Sequence, residues 1–366
     1  MPVKTVYTAE IESVSILDEN GEFDEKLGKD LIPIDDVVKL YERMSVYREF
    51  DMVAFKLQRS GRMGTYPQNW GQEATSLGAA YAMKDRDWLV TAYRENAGMF
   101  WRGLPMEYIL WHWMGDERGN QIPDDLRMTP ISVPIGTQML HATGLAWAGK
   151  LRQEKSVSVT FFGDGGSSEG DFHEAINFAT TLEIPVVFCC QNNGWAISTP
   201  CGRNGALQTF AQRGLAYGAH AIQCDGNDIF ACVKVARDAI ERARSENKVT
   251  FIEFLTYRMG DHTTADDARR YRDPAEVEKW AGRDPLLRIR KYLTKRKKWD
   301  DAKQEKLEAA AKKEVQEVVK RAEGVEKPTT DDIFDYTFAD LPEALREQRA
   351  TLRTASLAMN EAKSKA

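Results

Sequence analysis

The apolar positions in the first third of the chain repeat with the spacing of helices. An acidic, polar stretch over residues 1–33 predicts an extended arm with a short hairpin at 19–22. After it, apolar residues recur every three or four positions, as they do in amphipathic helices. The elements predicted in this part are helices over 34–60, 71–83 and 97–114, followed by a Gly-, Pro- and Asp-rich loop over 115–136.

The middle of the chain changes to short apolar runs that alternate with helical segments. The runs predict strands over 157–162, 185–190, 218–223 and 249–257, and the other segments predict helices over 171–182 and 230–245. Nearly continuous apolar strands are typical of a parallel sheet that helices cover on both faces. We therefore expect an α/β fold that binds ligands at the carboxyl ends of its strands.

The last part of the chain is rich in charged residues. Residues 258–285, dense in Arg and Asp, predict a loop, whereas 301–325 and the residues after Pro342 predict polar helices. The sequence shows no internal repeat and no low-complexity linker. We expect three parts, which are an N-terminal arm over 1–35, one α/β domain over 36–340, and a C-terminal helical tail over 341–366.

Charge and hydropathy exclude two classes of protein. Lys and Arg number 50 against 56 Asp and Glu, a net charge of −6, which argues against a general nucleic-acid-binding surface. Apolar runs reach only about five residues, whereas a membrane-spanning helix needs about 20. The N-terminal residues lack the apolar core of a secretory signal, and the five cysteines form no CxxC pair. We therefore expect reduced thiols and a cytoplasmic location.

The loop after the predicted strand 157–162 carries the first candidate chemistry. It reads GDGGSSEG over residues 163–170, and its glycines allow backbone N–H groups to approach a ligand such as a phosphate. A dinucleotide-binding fingerprint fails on spacing, because its third Gly would have to replace Ser168. A P-loop fails because no Gly-Lys-Ser/Thr follows. Two interpretations of the loop remain.

The first interpretation is the nucleophile elbow of a hydrolase. Residues 166–170 fit GxSxG with Ser168 as the nucleophile, and Asp225 or Asp228 and then His262 follow in the chain order of that fold. An elbow serine stands at the end of its strand, whereas Ser168 lies six residues beyond Phe162. The spacing therefore counts against a hydrolase.

The second interpretation is a site for a metal ion and a diphosphate. Asp164 follows one predicted strand and Asn193 follows the next, so their side chains are expected at the same edge of a parallel sheet. With a backbone carbonyl near Trp195, they offer the oxygen ligands that Mg²⁺ shares with substrate phosphates. The alternative is that Asn192, Asn193 and Gly194 only form a turn.

The surroundings of these residues resemble a known family. GDG at 163–165, then 26 residues, then NN at 192–193 resembles the thiamine diphosphate motif, and the likeness extends over 163–200. The other segments that carry it are 6–23, GQEA (71–74), YR (93–94), GNQIP (119–123), PIGTQ (134–138) and 257–273. Over nearly its whole length the chain is similar to the alpha subunits of the decarboxylating component of 2-oxoacid dehydrogenase complexes.

The resemblance implies an αβα sandwich around a mainly parallel sheet, and a set of cofactor residues. Asp164, Asn193 and the carbonyl of Trp195 are implied to bind Mg²⁺, although the family often has Tyr at the position of Trp195. Tyr93 and Arg94 are implied to hold the diphosphate of thiamine diphosphate. The other residues implied to bind the cofactor are Ile135, beside the aminopyrimidine, and Gly163, Gly165, Gly166 and His262.

The resemblance makes His262 the catalytic histidine. It is implied to contact the diphosphate and to assist proton transfer and acyl transfer to a lipoyl group. Asp261 stands where relatives carry Pro or His, and we expect this neighbouring carboxylate to raise the pKa of His262. Thr263 stands where mammalian relatives carry a regulatory phosphoserine. Structural or surface roles are expected for the other histidines, which are His112, His141, His173 and His220.

Two further correspondences concern an ion and the substrate. A potassium site of some members corresponds to Ser132, Pro134, Thr137 and Gln138. Thr65 and Tyr66 lie where the family often has an aromatic residue on the substrate side, and Thr65 departs from that pattern. The resemblance therefore leaves the size of the substrate open.

The resemblance also implies a reaction that one chain does not complete. A small 2-oxo acid is decarboxylated, and its acyl group passes to the lipoyl domain of a dihydrolipoyl acyltransferase core. Because the glutamate that activates the aminopyrimidine comes from a beta subunit in this family, we expect a heterotetramer of two alpha and two beta chains. Segments 61–74 and 119–123 favour the pyruvate type. GSSEGDF and DGNDIFA fit the branched-chain type equally well, which stays the alternative, with acetoin dehydrogenase as a third relative.

Overall fold

The computed structural model describes residues 3–335 and 338–364, so residues 1–2 of the predicted arm, 336–337 of the predicted domain and 365–366 of the predicted tail lie outside the described residues. Its centre is a six-stranded sheet in which all neighbouring strands are parallel. In chain order the strands are β1 (Ser13–Val14), β2 (Trp88–Val90), β3 (Ser158–Gly163), β4 (Val186–Asn192), β5 (Trp195–Ala196), β6 (Thr199–Pro200), β7 (His220–Asp225) and β8 (Thr250–Leu255). The sheet order is β1-β7-β8-β4-β3-β2, and β5 and β6 form a separate hairpin.

Helices cover both faces of the sheet and extend beyond it. In chain order they are α1 (Glu25–Gly28), α2 (Ile34–Arg59), α3 (Glu73–Ala82), α4 (Asn96–Trp101), α5 (Met106–Met114), α6 (Thr137–Leu151), α7 (Gly170–Thr181), α8 (Gln212–Ala216), α9 (Ile229–Glu246), α10 (Pro274–Ala281), α11 (Pro285–Lys295), α12 (Asp301–Glu323), α13 (Asp332–Asp335) and α14 (Glu343–Ser364). None of the described helices is both long enough and apolar enough to cross a lipid bilayer.

Alternate residues of the central strands reach two different helical layers. Val159 and Phe161 of β3 belong to a core shared with α2, α9 and α12. Phe162, the next residue, belongs to a second core with Phe172 and Ile176 of α7. Because both faces of β3 are buried, its side chains are apolar at consecutive positions. The expected α/β fold, a parallel sheet between two helical layers, is confirmed.

The central strands end level with one another, which places their following loops side by side. Gly163 at the end of β3 is in register with Gln191 of β4, and Gln191 is in register with Phe254 of β8. The loops that begin at residues 164, 193 and 256 therefore meet at one edge of the sheet. This is the edge at which parallel sheets bind ligands.

The N-terminal arm packs along the sheet. β1 pairs with β7, and the backbone N–H groups of Ile16 and Leu17 donate to the Asp228 carboxylate at 2.6 and 2.7 Å. The predicted hairpin is present as a turn, in which Asp18 N donates to Glu22 O at 3.0 Å. The arm is thus tied to the sheet by both backbone pairing and a buried carboxylate.

Among the elements that the apolar pattern did not predict are β1, β2 and α6. β1 and β2 have two and three residues, too few to show an alternation. In α6 the usual distribution is blurred, because Gln138 and Thr143 are buried beside Met139 and Ala142, whereas Leu140 and Trp147 are 38% and 39% exposed. A helix that buries polar residues and exposes apolar ones gives no amphipathic signal in the expected phase.

Two predicted segments differ from the structure. The helical stretch predicted over 97–114 is divided into α4 and α5, because Gly103 adopts φ +101° and Pro105 caps the second helix. The loop predicted over 258–285 is wrong in its second half, where α10 forms. Asp273 accepts a hydrogen bond from Ala275 N, and Pro274 occupies the first turn of that helix. No residue of α10 is fully buried, although Val277 and Trp280 pack partly buried against a small core cluster.

Candidate functional site

A cavity of about 300 Å³ opens at the carboxyl edge of the sheet, between the loops that follow β2, β3, β4 and β8. All ten residues that the sequence nominated for cofactor, metal or catalysis line it. They are Tyr93, Arg94, Ile135, Gly163, Asp164, Gly165, Gly166, Asn193, Trp195 and His262. The fold therefore brings together residues from five separate segments of the chain, most of which the sequence could group only by resemblance.

Asp164 is a buried carboxylate at the end of β3. Only 1% of it is exposed, and this burial raises the pKa of Asp164 to about 6. Its closest partner is neutral, since Asn204 Nδ2 donates to Asp164 Oδ2 at 2.7 Å. No cationic side chain forms an ion pair with Asp164 among the described residues. A carboxylate in this setting gains from a bound cation.

Asn193 and Trp195 stand on the turn that leads from β4 into the β5–β6 hairpin. Gly194 between them adopts φ +86°, so Asn192 to Trp195 do form the turn that the sequence allowed. The same turn faces the cavity: Asn193 Oδ1 accepts a hydrogen bond from Trp195 N at 3.2 Å, and Asn193 Nδ2 donates to Gln72 Oε1 at 3.0 Å. The same segment can therefore form a turn and also line a ligand site.

These oxygens fit the requirements of a small divalent cation. No group of three or more His, Cys, Asp or Glu that could hold a metal occurs in the described part of the chain. A cation here would be held by the Asp164 carboxylate, by an amide oxygen of Asn193 and by the Trp195 carbonyl. The remaining ligands would be oxygens of a bound phosphate or water, as is usual for Mg²⁺.

Two buried guanidinium groups also line the cavity, and Arg258 Nη1 donates to the Trp195 carbonyl at 3.4 Å. Arg94 is 6% exposed and Arg258 is 1% exposed, and within the described residues neither forms an ion pair with a carboxylate. They bond to backbone oxygens instead, including Arg94 Nη2 to His262 O at 2.6 Å and Arg258 Nη2 to Ile197 O at 2.7 Å. Burial, together with the charge of Arg94, lowers the pKa of Arg258 to about 10. Two such cations without an acidic partner are suited to an anionic ligand.

His262 lies between the two arginines. Its Nδ1 is 3.2 Å from Arg94 Nη2 and 3.1 Å from Arg258 Nη1. Because guanidinium groups only donate, Nδ1 accepts and the proton of the neutral ring is on Nε2. Burial and the two positive charges lower the pKa of His262 to about 3.

The expectation that Asp261 raises the pKa of His262 was wrong. The Asp261 carboxylate turns away and accepts from Ala268 N at 2.9 Å. The nearest acidic contact of His262 is Asp266, which accepts from the His262 backbone N–H and not from the ring. Desolvation and the cations therefore outweigh the neighbouring carboxylates.

The glycines that follow Asp164 allow neighbouring segments of the cavity wall to pack closely. A Cβ on Gly165 would stand 2.7 Å from the Cβ of Ala196, so no larger residue fits there. A Cβ on Gly166 would meet Phe162 at 3.3 Å and Ile135 at 3.6 Å. Ile135 itself is 47% exposed, which places an apolar side chain at the cavity mouth.

Several residues of the cavity were not nominated from the sequence. Arg258 and Gln72 lie inside quoted segments, 257–273 and GQEA, but nothing in one sequence distinguishes them from their neighbours. Glu95 is 1% exposed, and burial raises the pKa of Glu95 to about 7. Its carboxylate accepts from Gln191 Nε2 at 2.5 Å. The other lining residues that the sequence did not nominate are Ala92, Phe162, Glu169, Gln191, Ala196, Ile197 and Asn204.

Tyr66 supports the cavity from behind and does not line it, and Thr65 is exposed. The Tyr66 hydroxyl donates to Asp51 Oδ1 at 2.7 Å, and its backbone pairs with Thr264 in the loop of His262. Asp51 also accepts from Asn69 N at 3.0 Å. The Asn69 side chain in turn donates to the carbonyl of Arg94. Asp51 therefore braces the segments of two cavity residues.

The other nominated residues divide between the cavity and its surroundings. Of the four that correspond to a potassium site, Pro134 and Gln138 line the cavity, whereas Ser132 and Thr137 do not. Thr263 is half-buried, beside His262. The remaining histidines stand elsewhere: His112 contacts Asn120, His173 contacts Tyr217, and His141 and His220 are exposed.

The hydrolase interpretation finds no support in the geometry. Ser168 is exposed and its hydroxyl bonds to the carbonyl of Asn204, outside the cavity. Asp225 forms an ion pair with Arg288, and Asp228 caps α9 and the arm. Ser168, these carboxylates and the cavity histidine therefore do not form a catalytic triad.

Comparisons with known proteins agree with this arrangement. A model of the family described as "Dehydrogenase E1 component" matches residues 41–331. A protein of Staphylococcus aureus named "Pyruvate dehydrogenase E1 component subunit alpha" is 38% identical over 344 residues, which cover 93% of this chain and 92% of the relative. A protein of the same name from Staphylococcus epidermidis shows the same identity and coverage. The family match includes all segments that form the cavity.

Proposed function

This chain belongs to the dehydrogenase E1 component family, and on that premise we propose that it is the alpha subunit of a pyruvate dehydrogenase. In this proposal it takes part in the oxidative decarboxylation of pyruvate with thiamine diphosphate and Mg²⁺. The acetyl group then passes to the lipoyl group of a dihydrolipoyl acyltransferase core. The chain is thus part of an oxidoreductase whose acceptor is a disulfide.

The observation that carries the proposal is the division of charge within the cavity. Arg94 and Arg258 present two guanidinium groups without acidic partners, whereas Asp164 presents a carboxylate without a basic partner among the described residues. A diphosphate bound together with a divalent cation satisfies both sides at once. The identity to alpha subunits over 93% of the chain supports the same conclusion.

The residues at the cavity divide the work of holding the cofactor. The diphosphate would contact Tyr93, Arg94, Arg258, His262 and the backbone N–H groups of Gly163, Gly165 and Gly166. The metal would be bound by Asp164, Asn193 and the carbonyl of Trp195. Ile135 at the mouth would contact the aminopyrimidine. When bound, thiamine diphosphate supplies the electron sink that a 2-oxo acid needs for the loss of carbon dioxide.

His262 is proposed as the catalytic proton donor of this chain. With Nδ1 accepting from two arginines, its Nε2–H is the group free to donate toward a ligand. Its depressed pKa means that the ring is neutral near pH 7 and donates without carrying a charge. In this role it donates a hydrogen bond to the diphosphate or to developing charge on the substrate, and it assists acyl transfer to the lipoyl group.

The proposal includes a beta subunit, in a heterotetramer of two alpha and two beta chains. No carboxylate other than Glu95, Asp164 and Glu169 lines the cavity among the described residues. Asp164 is assigned to the metal, and because the glutamate for the aminopyrimidine comes from the beta subunit in this family, we expect it from the partner here. A K⁺ ion near Pro134 and Gln138 is part of the same proposal.

The test is decarboxylation measured with an artificial electron acceptor in the presence of thiamine diphosphate and Mg²⁺. We expect turnover of pyruvate by the alpha–beta complex and none by this chain alone. Comparing kcat/KM for pyruvate and for 3-methyl-2-oxobutanoate identifies the substrate type. A preference for the branched acid would replace pyruvate by branched-chain 2-oxo acids, and robust turnover by the isolated chain would contradict the shared active site.

A further inference from the structure

Gln72, in the GQEA segment, is a buried residue of the cavity to which the proposed function gives no role. It is fully buried and lines the cavity directly before α3. Its side-chain oxygen has a partner, because Asn193 Nδ2 donates to Gln72 Oε1 at 3.0 Å. Its side-chain nitrogen, Nε2, is buried without a hydrogen-bond partner. A buried amide donor left unpaired is costly unless a ligand completes it.

The backbone around Gln72 is held in place by several elements. Gly71 adopts φ +93°, and a Cβ there would stand 2.6 Å from Met259 Cγ, so this turn tolerates only glycine. Gly71 N donates to Glu73 Oε2 at 3.0 Å, and Gly71 O accepts from the Thr256 hydroxyl at 3.2 Å. The position of the Gln72 side chain is therefore determined by the fold and not by a mobile loop.

The orientation of the Gln72 amide follows from a backbone group. Trp195 N–H is a donor that cannot be reassigned, and it points to the side-chain oxygen of Asn193. The Asn193 atom that faces Gln72 is therefore Nδ2, a donor, and the Gln72 atom that accepts from it is Oε1. The remaining atom of the Gln72 amide is the donor Nε2, which has no hydrogen-bond acceptor within the protein.

A second glutamine of the cavity shows the opposite need. Gln138 Nε2 donates to Phe161 O at 2.9 Å, and its oxygen Oε1 is buried without a partner. Gln72 thus requires an acceptor from a ligand, whereas Gln138 requires a donor or a cation. Since Gln72 contacts the proposed metal ligand Asn193, the acceptor belongs at the metal end of the cavity, near the two unpaired arginines.

We propose that Gln72 is a cofactor-positioning residue with two functions, a proposal that rests on the thiamine diphosphate site proposed above. Its Oε1 fixes the Asn193 amide so that the oxygen Oδ1 is presented toward the cation. Its Nε2 donates a hydrogen bond to an oxygen of the diphosphate. One side chain thereby couples the orientation of a metal ligand to the binding of the anion that shares the metal.

The test compares ligand affinities of the alpha–beta complex by isothermal titration calorimetry, with thiamine diphosphate and with inorganic pyrophosphate, both in the presence of Mg²⁺. Gln72→Glu keeps the size and the oxygen that accepts from Asn193, and it replaces the donor by a second oxygen. We expect the Kd of both ligands to rise about tenfold or more, because a charge-assisted hydrogen bond is lost and a negative charge is added. Gln72→Met, which also removes the acceptor, is expected to raise in addition the Mg²⁺ concentration needed for half-saturation.

The controls separate a positioning role from a structural one. Gln348→Glu adds the same charge at an exposed position of α14 and is expected to leave both Kd values unchanged. An unchanged Kd for both ligands in Gln72→Glu would overturn the donor assignment, and so would a change confined to thiamine diphosphate, since pyrophosphate has only the diphosphate part. If the unmodified complex binds neither ligand, the proposed function fails together with this inference.

Discussion

Buried arginines occur in two regions of this molecule, and their partners differ. In the framework of the fold they are paired with carboxylates. Arg244 is held by Asp87 at 2.8 and 2.9 Å, with side chains 7% and 0% exposed. Arg288, fully buried, bonds to Asp225 at 2.8 Å. In the cavity, Arg94 and Arg258 bond only to neutral groups, and both contact the ring of His262.

The difference separates charges that serve the fold from charges that serve a ligand. A paired buried charge is balanced within the protein, so its loss leaves an isolated charge behind. An unpaired one is kept in the folded state at a cost, which the depressed pKa of both Arg258 and His262 reflects. Only the binding of an anion offsets this unfavourable free energy. Affinity for an anion and stability of the fold should therefore respond to different substitutions.

The largest effect on stability is expected in the framework region. Asp87→Asn leaves the buried Arg244 with only the exposed carboxylate of Glu241, 3.5 Å from its Nε, and we expect the free energy of unfolding to fall by about 3 kcal/mol. Affinity for thiamine diphosphate with Mg²⁺ should stay the same, because Asp87 does not line the cavity. Urea denaturation and calorimetric titration of the same variant measure the two quantities.

An exposed ion pair provides the control for this change. Glu314→Gln breaks the contact with Arg43, whose side chain is 52% exposed against 41% for Glu314. We expect the free energy of unfolding to stay within about 0.5 kcal/mol of the original value. If Asp87→Asn were equally mild, the framework pair would not be a structural requirement, and the comparison between the regions would break down.

The next effect concerns the cavity region. Arg258→Met removes one unpaired guanidinium, and we expect affinity for thiamine diphosphate to fall about 100-fold, or about 2.7 kcal/mol, because charge-assisted bonds to phosphate are lost. Thermal unfolding of the ligand-free protein should change far less than in Asp87→Asn, since only neutral partners are left behind. A large loss of stability without a loss of affinity would place Arg258 in the framework class.

A smaller effect is expected from Asp51, a buried carboxylate without an ion pair among the described residues. Burial raises the pKa of Asp51 to about 7, above the value of about 4 for an exposed Asp. The folded state therefore holds this proton more tightly, and the resulting stability is present below about pH 4 and is lost as the pH rises through 7.

Asp51→Asn tests this dependence, because Asn keeps an oxygen for Tyr66 and Asn69 but does not titrate. Between pH 5 and pH 8 we expect the unmodified protein to lose about 2 kcal/mol more stability than the variant. Urea denaturation at the two pH values gives the difference. A constant offset between the two proteins at both pH values would show that Asp51 does not titrate in this range.

How far the fold could be predicted depended on how many faces each element buries. β3, β4 and β8 are apolar at nearly every position because helices cover both of their faces, so their sequences identified a parallel sheet. The edge strands β1 and β2 were too short to show a pattern. α6 was missed because its buried face holds Gln138 and Thr143, which the cavity and the neighbouring strand require.

The candidate site was predictable where residues act through a motif of fixed spacing. Asp164 and Asn193 follow adjacent strands, so their meeting at one edge follows from the topology alone. The role of Arg258 and Gln72 depends on which partners are absent around them, and the absence of a partner is a property of the folded neighbourhood. The electrostatics of His262 could not be predicted either, because Asp261 is close in sequence but directed elsewhere.

The order of the strands also constrains how the chain can fold during its synthesis. β8 is the last strand in the chain, yet it lies in the interior of the sheet between β4 and β7. β1 is the first, and its neighbour Ile16 bonds to Asp228, 212 residues later. Because synthesis proceeds from the N-terminus, about two thirds of the chain must have left the ribosome before the sheet is complete. Until then β4 carries an unpaired edge, and the nascent chain needs protection from association at that edge.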